Sequence, residues 1–218
     1  RLDGPSLCAL FTEEEVTMTA AVPTVWLGLL RTLEETNQTL PHLKRVLIGG
    51  AACPRTMIET FENKYGIDVI HSWGMTEMSP LGTLGTLKVK QAALPPEQRL
   101  DYKARQGCPP FGVEMKIVGD DDGELPRDGK TFGRLKVRGP AVSKAYFKGD
   151  GASAYDEEGW FDTGDVATLD EDGYMTITDR AKDVIKSGGE WISSIEIENL
   201  AMGHPAVAEA AVIGVKHP

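Results

Sequence analysis

The run RVLIGGAACPRTMIETFENKYGIDVI, residues 45–70, decides the fold class. Arg45–Ile48 is a short apolar stretch of strand length that runs into Gly49-Gly50-Ala51-Ala52. Pro54 suits the start of a helix, where a missing amide proton costs nothing. That helix is expected to reach about Lys64, with Ile58 and Phe61 three apart on one face. Gly66 ends it, and Ile67–Ile70 reads as a second strand. Strand, helix and strand in this order predict a parallel α/β layer. In such sheets ligands bind beyond the carboxyl ends of the strands, where the Gly49–Cys53 and His71–Pro80 loops fall.

Upstream, Thr12-Glu13-Glu14-Glu15 reads as a capping box opening a short helix. Val16–Val22 reads as a buried strand, and Pro23 as the first residue of a helix over 23–36. Downstream, residues 81–110 read as loop. From Phe111 the hydrophobic period changes to two. Val113–Val118, Gly133–Val137 and Val166–Ile177 are expected as short strands with turns such as Asp122-Gly123 and Asp172-Gly173. They predict a small antiparallel sheet or barrel over about 107–178. A hairpin follows around Ser187-Gly188-Gly189-Glu190, then a helix from the capping box Ser193–Glu196 to Gly203, then a last strand, Val207–Val215.

Composition excludes several classes. The chain has 218 residues, 41% of them hydrophobic, so bulk disorder is not expected. A net charge of −10 argues against a nucleic-acid binder. It is no bar to an anionic small ligand held by backbone amides and a few cations. Glycine is high, at 24 residues, as expected for turns or where backbone approaches a ligand. Cys8, Cys53 and Cys108 are odd in number and widely spaced, which fits neither a zinc site nor a disulfide framework, and fits a cytoplasmic setting. No apolar run is long enough for a membrane span. The chain opens Arg1-Leu2-Asp3 and closes Lys216-His217-Pro218, and both ends read as cut from a longer protein.

Four stretches carry chemistry. Trp73-Gly74-Met75-Thr76-Glu77 offers a close-approach glycine, a hydroxyl and a carboxylate for a hard cation, or is a polar loop with a helix-start Glu. Gly49–Pro54 leaves room for a flat ring, or merely satisfies strand-to-helix packing. Gly159–Asp165 places two carboxylates around Thr163-Gly164, suited to ribose hydroxyls or to a solvated hairpin turn. Thr178–Glu190 clusters cations before a flexible Ser-Gly-Gly turn, or is a charged interdomain linker with a Gly turn. Trp26 reads as core, His42 and His204 as surface, and Asp120–Asp122 as a solvated turn.

Taken in order, these stretches resemble the adenylate-forming superfamily of acyl-CoA synthetases, luciferases and carrier-protein adenylation domains. Trp73–Glu77 matches the aromatic-Gly-x-Thr-Glu motif, and Trp160–Asp165 the aromatic-x-T-G-D motif. Gly133-Arg134-Leu135 with Gly139 and Tyr146 resembles the G-E-L…G…G-Y segment, with Arg134 in place of Glu. Asp179–Asp183 with Ser187–Glu190 resembles the hinge of acyl-CoA synthetases. The K-S-G-G-E-W-I-S-S form, residues 186–194, most resembles fatty-acyl and methylmercaptopropionate CoA ligases.

The resemblance implies the α/β and β-rich parts of an N-terminal adenylation domain (1–106 and 107–180), then a hinge and the start of a small α+β C-terminal domain (181–218). It implies ATP or AMP, Mg2+ and CoA as co-substrate, with a small-molecule carboxylate, a fatty acid foremost, activated as acyl-AMP and its acyl group passed to the CoA thiol. Glu77 would hold Mg2+ and Thr76 the phosphate. Asp165 would hold the ribose hydroxyls, with Arg180 in the same region. Gly50, Ala51, Ala52 and the run His71, Ser72, Trp73, Gly74 and Met75 would enclose the adenine. Lys182 would be the hinge, and Ser187, Gly188 and Gly189 would line the path of the thiol. The family's phosphate loop and catalytic lysine lie outside these residues, so the chain by itself is expected to be inactive. A homodimer is compatible with the resemblance. A carrier-protein acceptor, or a degenerate nucleotide-binding module, are the alternatives.

Overall fold

The computed structural model describes residues 1–149, 151–181, 185–187, 190–202, 204, 206–207 and 210–215. Strands β1 (Met18–Ala21), β2 (Arg45–Ile48) and β3 (Asp68–Gly74) run parallel, and β4 (Leu81–Leu84) returns antiparallel to β3. Leu47 pairs with Ala20 on one side and Ile70 on the other. Helix α1 (Gly4–Glu13) precedes this sheet, α2 (Pro23–Thr36) joins β1 to β2, and α3 (Arg55–Glu59), widening into a π turn over Thr60–Lys64, joins β2 to β3. Helix α2 buries Pro23, Trp26, Leu29, Leu30 and Leu33, a stripe at helical spacing, and ends where Asn37 turns left-handed at φ 52°. Trp26 meets Phe61 edge-on at 5.7 Å and donates its indole N–H to the Ala21 carbonyl at 3.0 Å, so it is core as expected.

A second sheet follows in sequence order: β5 (Glu114–Val118), β6 (Gly133–Arg138), β7 (Phe161–Leu169) and β8 (Met175–Arg180), all antiparallel. Met115, Ile117, Leu135, Val137, Phe161, Ala167, Leu169 and Met175 form its core, joined by Trp73 and Met78 from the first region. Of the two forms expected, the open sheet is the one observed: β5 and β8 do not pair to close a barrel.

Residues 106–108 splice the two sheets. Leu84 and Cys108 exchange backbone hydrogen bonds of 2.9 and 3.0 Å, while Met175 donates to Gly107 at 2.8 Å and Gln106 to Met175 at 3.1 Å. Gly107 sits at φ +89°, and a Cβ there would lie 2.1 Å from the Leu84 carbonyl, so only glycine fits. Beyond β8, β9 (Ile185–Ser187) and β10 (Glu190–Ile192) form the expected hairpin, and α6 (Ser194–Met202) follows. The Asp179 carboxylate accepts from the Ser194 amide at 3.1 Å, and the Ser193 hydroxyl donates to the Thr178 carbonyl at 2.6 Å. The end of β8 thus holds the start of α6.

Several sequence expectations need correction. Thr12 and Glu13 end α1 rather than open a helix; Asp3 caps it, accepting from the Ser6 amide at 2.9 Å. Strand β1 is an edge strand with a half-open face, not a buried one. Strand β3 continues through His71–Gly74, where the sequence predicts loop, because β4 pairs with its end. The stretch 81–110 contains β4, α4 (Val89–Ala92) and α5 (Pro96–Ala104). Helix α5 buries no residue fully and therefore shows no apolar stripe. Among the described residues of 207–215 there is no strand, since none of them finds a ladder partner. No helix among the described residues is long and apolar enough to cross a membrane.

Candidate functional site

A pocket opens where the carboxyl ends of β2 and β3 meet the second sheet. Gly50, Ala51 and Ala52 line one side, and His71, Ser72, Trp73 and Gly74 the next. Asp165 comes from β7, Ile177, Asp179 and Arg180 from β8, Gln106 from the splice and Ile195 from α6. Nine residues singled out from sequence therefore share one pocket, although they span positions 50 to 180.

Asp165 is aimed by its own motif. Thr163 donates its hydroxyl to the Leu135 carbonyl at 2.9 Å and accepts from the Asp165 amide at 3.1 Å. Asp162 accepts from the Gly164 amide at 3.0 Å, and Gly164 adopts φ +71°. This kink turns the Asp165 carboxylate inward. It is buried, with the Trp73 indole N–H donating to Oδ2 at 2.9 Å and Arg180 Nε paired with Oδ1 at 3.0 Å. Burial pushes its carboxyl above the usual range, and Arg180 and Trp73 pull the other way. The motif's two carboxylates are thus separated in role. Asp162 pairs with Arg134 at 2.5 Å across the sheet, outside the pocket, and Arg134 also holds Asp122 at 2.6 Å. The solvated-turn alternative fails for Asp165, which lies within a strand. Trp160 stands apart, with the cations of Lys116 and Arg138 4.4 and 4.5 Å from its ring.

His71 is buried, and its Nδ1 donates to the Ala104 carbonyl at 3.0 Å. Burial holds its pKa below the usual 6.5, so the ring is neutral at pH 7. Ser72 donates to the Ile48 carbonyl at 3.3 Å, tying β3 to the end of β2 beside the small-residue loop.

Met75, Thr76 and Glu77 lie beyond the pocket lining, in and just before a 3-10 turn over Thr76–Met78. Met75 packs against the core of the second sheet, Thr76 is exposed and Glu77 half-buried. The Tyr146 hydroxyl donates to Glu77 Oε1 at 2.6 Å, which pushes the phenol pKa up to about 12. Among the described residues no group of three or more His, Cys, Asp or Glu could hold a metal ion. A lone hard carboxylate of this kind suits Mg2+ that takes its other ligands from phosphates and water. Lys182, Gly188 and Gly189 fall outside the described residues, and of Ser187 only the strand position is described.

Sequence reading missed Gln106, Ile177, Asp179 and Ile195 as lining residues. Gln106 receives the Ile177 amide on Oε1 at 2.8 Å and the Thr83 hydroxyl on its carbonyl at 2.6 Å. These contacts come from pairing between distant strands, which no local pattern announces. The link from Tyr146 to Glu77 was within reach, since both residues belong to recognised motifs.

The profile of the family described as AMP-binding enzyme matches residues 1–147. The chain is 54% identical over 217 residues to a 3-methylmercaptopropionyl-CoA ligase of Ruegeria pomeroyi, a match covering 100% of this chain and 40% of that protein. It is 50% identical over 216 residues to a medium-chain-fatty-acid–CoA ligase of Ectopseudomonas oleovorans, covering 99% and 39%. The chain therefore spans about 40% of the length of these relatives. Among solved structures, O-succinylbenzoate coenzyme A synthetase of Bacillus subtilis in complex with AMP superposes with a TM-score of 0.82 at 33% identity, covering 100% of this chain and 42% of that one. The same enzyme has also been solved with ATP and a magnesium ion.

Proposed function

The chain belongs to the AMP-binding enzyme family, and from that premise we propose that it forms the nucleotide-holding part of an ATP-dependent, AMP-forming acyl-CoA ligase. The single observation that carries the reading is the pocket that gathers Gly50–Ala52, His71–Gly74, Asp165 and Arg180. In this reading a carboxylate attacks the α-phosphorus of ATP and releases pyrophosphate. The CoA thiol then attacks the acyl-AMP, giving the thioester and AMP. The names of the relatives favour a fatty or thioether-bearing acid as the acyl group. The three unpaired thiols favour the cytoplasm.

The residues present suit this task. Gly50, Ala51 and Ala52 leave a flat slot for adenine. Neutral His71 adds no charge beside a neutral base. Asp165 accepts from the ribose hydroxyls, exchanging part of its pairing with Arg180 for them. Thr76 offers a hydroxyl to the phosphates, and Glu77 a carboxylate oxygen to Mg2+. When bound, that ion neutralises phosphate charge; the protein's share is position and orientation. Lys182 is the hinge of this reading, and Ser187–Gly189 flank the thiol's approach.

Carboxylate-dependent ATP–pyrophosphate exchange by the full-length protein carrying these residues tests the reading, across acids of graded chain length. Exchange is expected to require both the acid and Glu77, falling at least about a hundredfold in Glu77→Ala. Folded protein that exchanges with no acid in the presence of Mg2+ would overturn it in favour of a degenerate nucleotide-binding module.

A further inference from the structure

Glu77 is held at two points by a segment that the roles above leave unused. The Ser143 amide donates to the Glu77 carbonyl at 2.7 Å, and the Tyr146 hydroxyl donates to Glu77 Oε1 at 2.6 Å. The Tyr146 ring is itself braced. It lies edge-on to Tyr155 at 5.9 Å and to Phe161 at 6.3 Å, and the Tyr155 hydroxyl is hydrogen-bonded to Ser143 Oγ at 2.6 Å. Phe161 opens β7, the strand that carries Asp165. An aromatic cluster formed by the β6–β7 connection and the start of β7 therefore reaches across to hold a side chain at the end of the first sheet. Among the described residues Glu77 Oε2 has no hydrogen-bond partner.

We propose that Tyr146 is the positioning residue for Glu77, fixing one carboxylate oxygen so that the other is presented to the cation that accompanies the nucleotide. The inference rests on the assignment of Glu77 made above. A glutamate on a surface turn otherwise samples many rotamers, and that freedom would be lost on every binding event. The phenol removes it beforehand. It also leaves Oε2 as the available acceptor for an ion that would keep water and phosphate in its shell.

Tyr146→Phe tests this in the full-length protein, because it keeps the ring in its cluster and deletes only the hydroxyl. The Mg2+ concentration giving half-maximal pyrophosphate exchange is expected to rise about tenfold, the scale of one hydrogen bond to a charged group. Direct Mn2+ binding in the presence of a non-hydrolysable ATP analogue, read by electron paramagnetic resonance, is expected to weaken by the same factor. AMP affinity should stay within about twofold. In a Glu77→Gln background the second substitution should add nothing. Unchanged cation dependence, or an equal loss in both backgrounds, would overturn the proposal. If wild-type protein binds Mn2+ with the analogue yet exchanges with no acid, the ligase reading falls while the binding comparison still decides the role of Tyr146.

Discussion

Asp165, within strand β7, and Glu77, within the turn over Thr76–Met78, are both motif carboxylates, yet they are held in opposite surroundings. Asp165 is buried, with a cation on one oxygen and an indole N–H on the other, and burial opposes its charge. Glu77 is half open to water, with a single phenol on one oxygen. The first arrangement favours a partner that brings neutral donors, such as a diol, into a prepared slot. The second favours a hydrated cation that arrives with its own shell. In the proposed reading, sugar and metal need different degrees of burial, and the fold offers both from its two sheets.

The largest effect should come from breaking the buried end. Asp165→Asn is expected to weaken AMP binding about thirtyfold, the scale of about 2 kcal/mol for lost charged hydrogen bonds. It should also raise the thermal midpoint, because a carboxyl whose folded pKa lies above its unfolded value subtracts stability once ionised. Glu77→Gln, its counterpart, should leave both AMP affinity and stability nearly unchanged. Calorimetric titration with AMP and a thermal melt on the same samples check this; a fall in the Asp165→Asn midpoint would mean that the Arg180 pair outweighs burial.

A smaller effect isolates the indole. Trp73→Phe removes the donor to Asp165 Oδ2 and keeps an aromatic wall. AMP affinity should fall about tenfold. The penalty should shrink for a 2′,3′-dideoxy analogue, which offers the carboxylate nothing to bind. Equal penalties for both nucleotides would assign Trp73 to the base rather than to the carboxylate.

The smallest effect is one of pH. His71 titrates lower when folded than its usual 6.5, so the unfolded chain binds more protons below that value. Stability should decline as pH falls below about 6.5, with a slope of at most about 1.4 kcal/mol per pH unit. Asp165 acts with the opposite sign. Its raised pKa means the folded chain binds more protons above 3.8, and acid there restores stability. Urea midpoints between pH 7 and 5 should show the decline in wild type and a flatter profile in His71→Asn.

Much of the first layer was legible because short apolar runs alternate with turn residues. Arg45–Ile48 appears with the expected bounds, as does α2 behind Pro23. What stayed hidden had no local signal. Helix α5 covers the sheet edge through charged residues: Lys103 pairs with Glu62 and with Asp68 at 2.6 Å, and Arg55 with Asp101. Strand β7 includes a Thr-Gly-Asp that reads as a turn, because only long-range pairing, of Asp162 with Lys136 on β6 and of Asp165 with Arg180 on β8, carries the strand through the kink at Gly164. The site was legible where motifs hold it and opaque where tertiary pairing does, as at Gln106 and Ile195. Trp73 shows both limits. Its place in the pocket followed from its motif, but its grip on Asp165, 92 residues away, did not.

The splice at residues 106–108 has a consequence for how this architecture tolerates change. The chain leaves β4 at Leu84 and returns beside it at Cys108, so the excursion between them starts and finishes at one stitched point. Added length in the connection between α4 and α5 would not reach the pocket, because the ends are already pinned. Lengthening a closed loop costs only about 0.6 kcal/mol per doubling. Gly107 thereby works like the rivet of a pair of callipers: the jaws keep their gap while the handle between them is free to be reshaped.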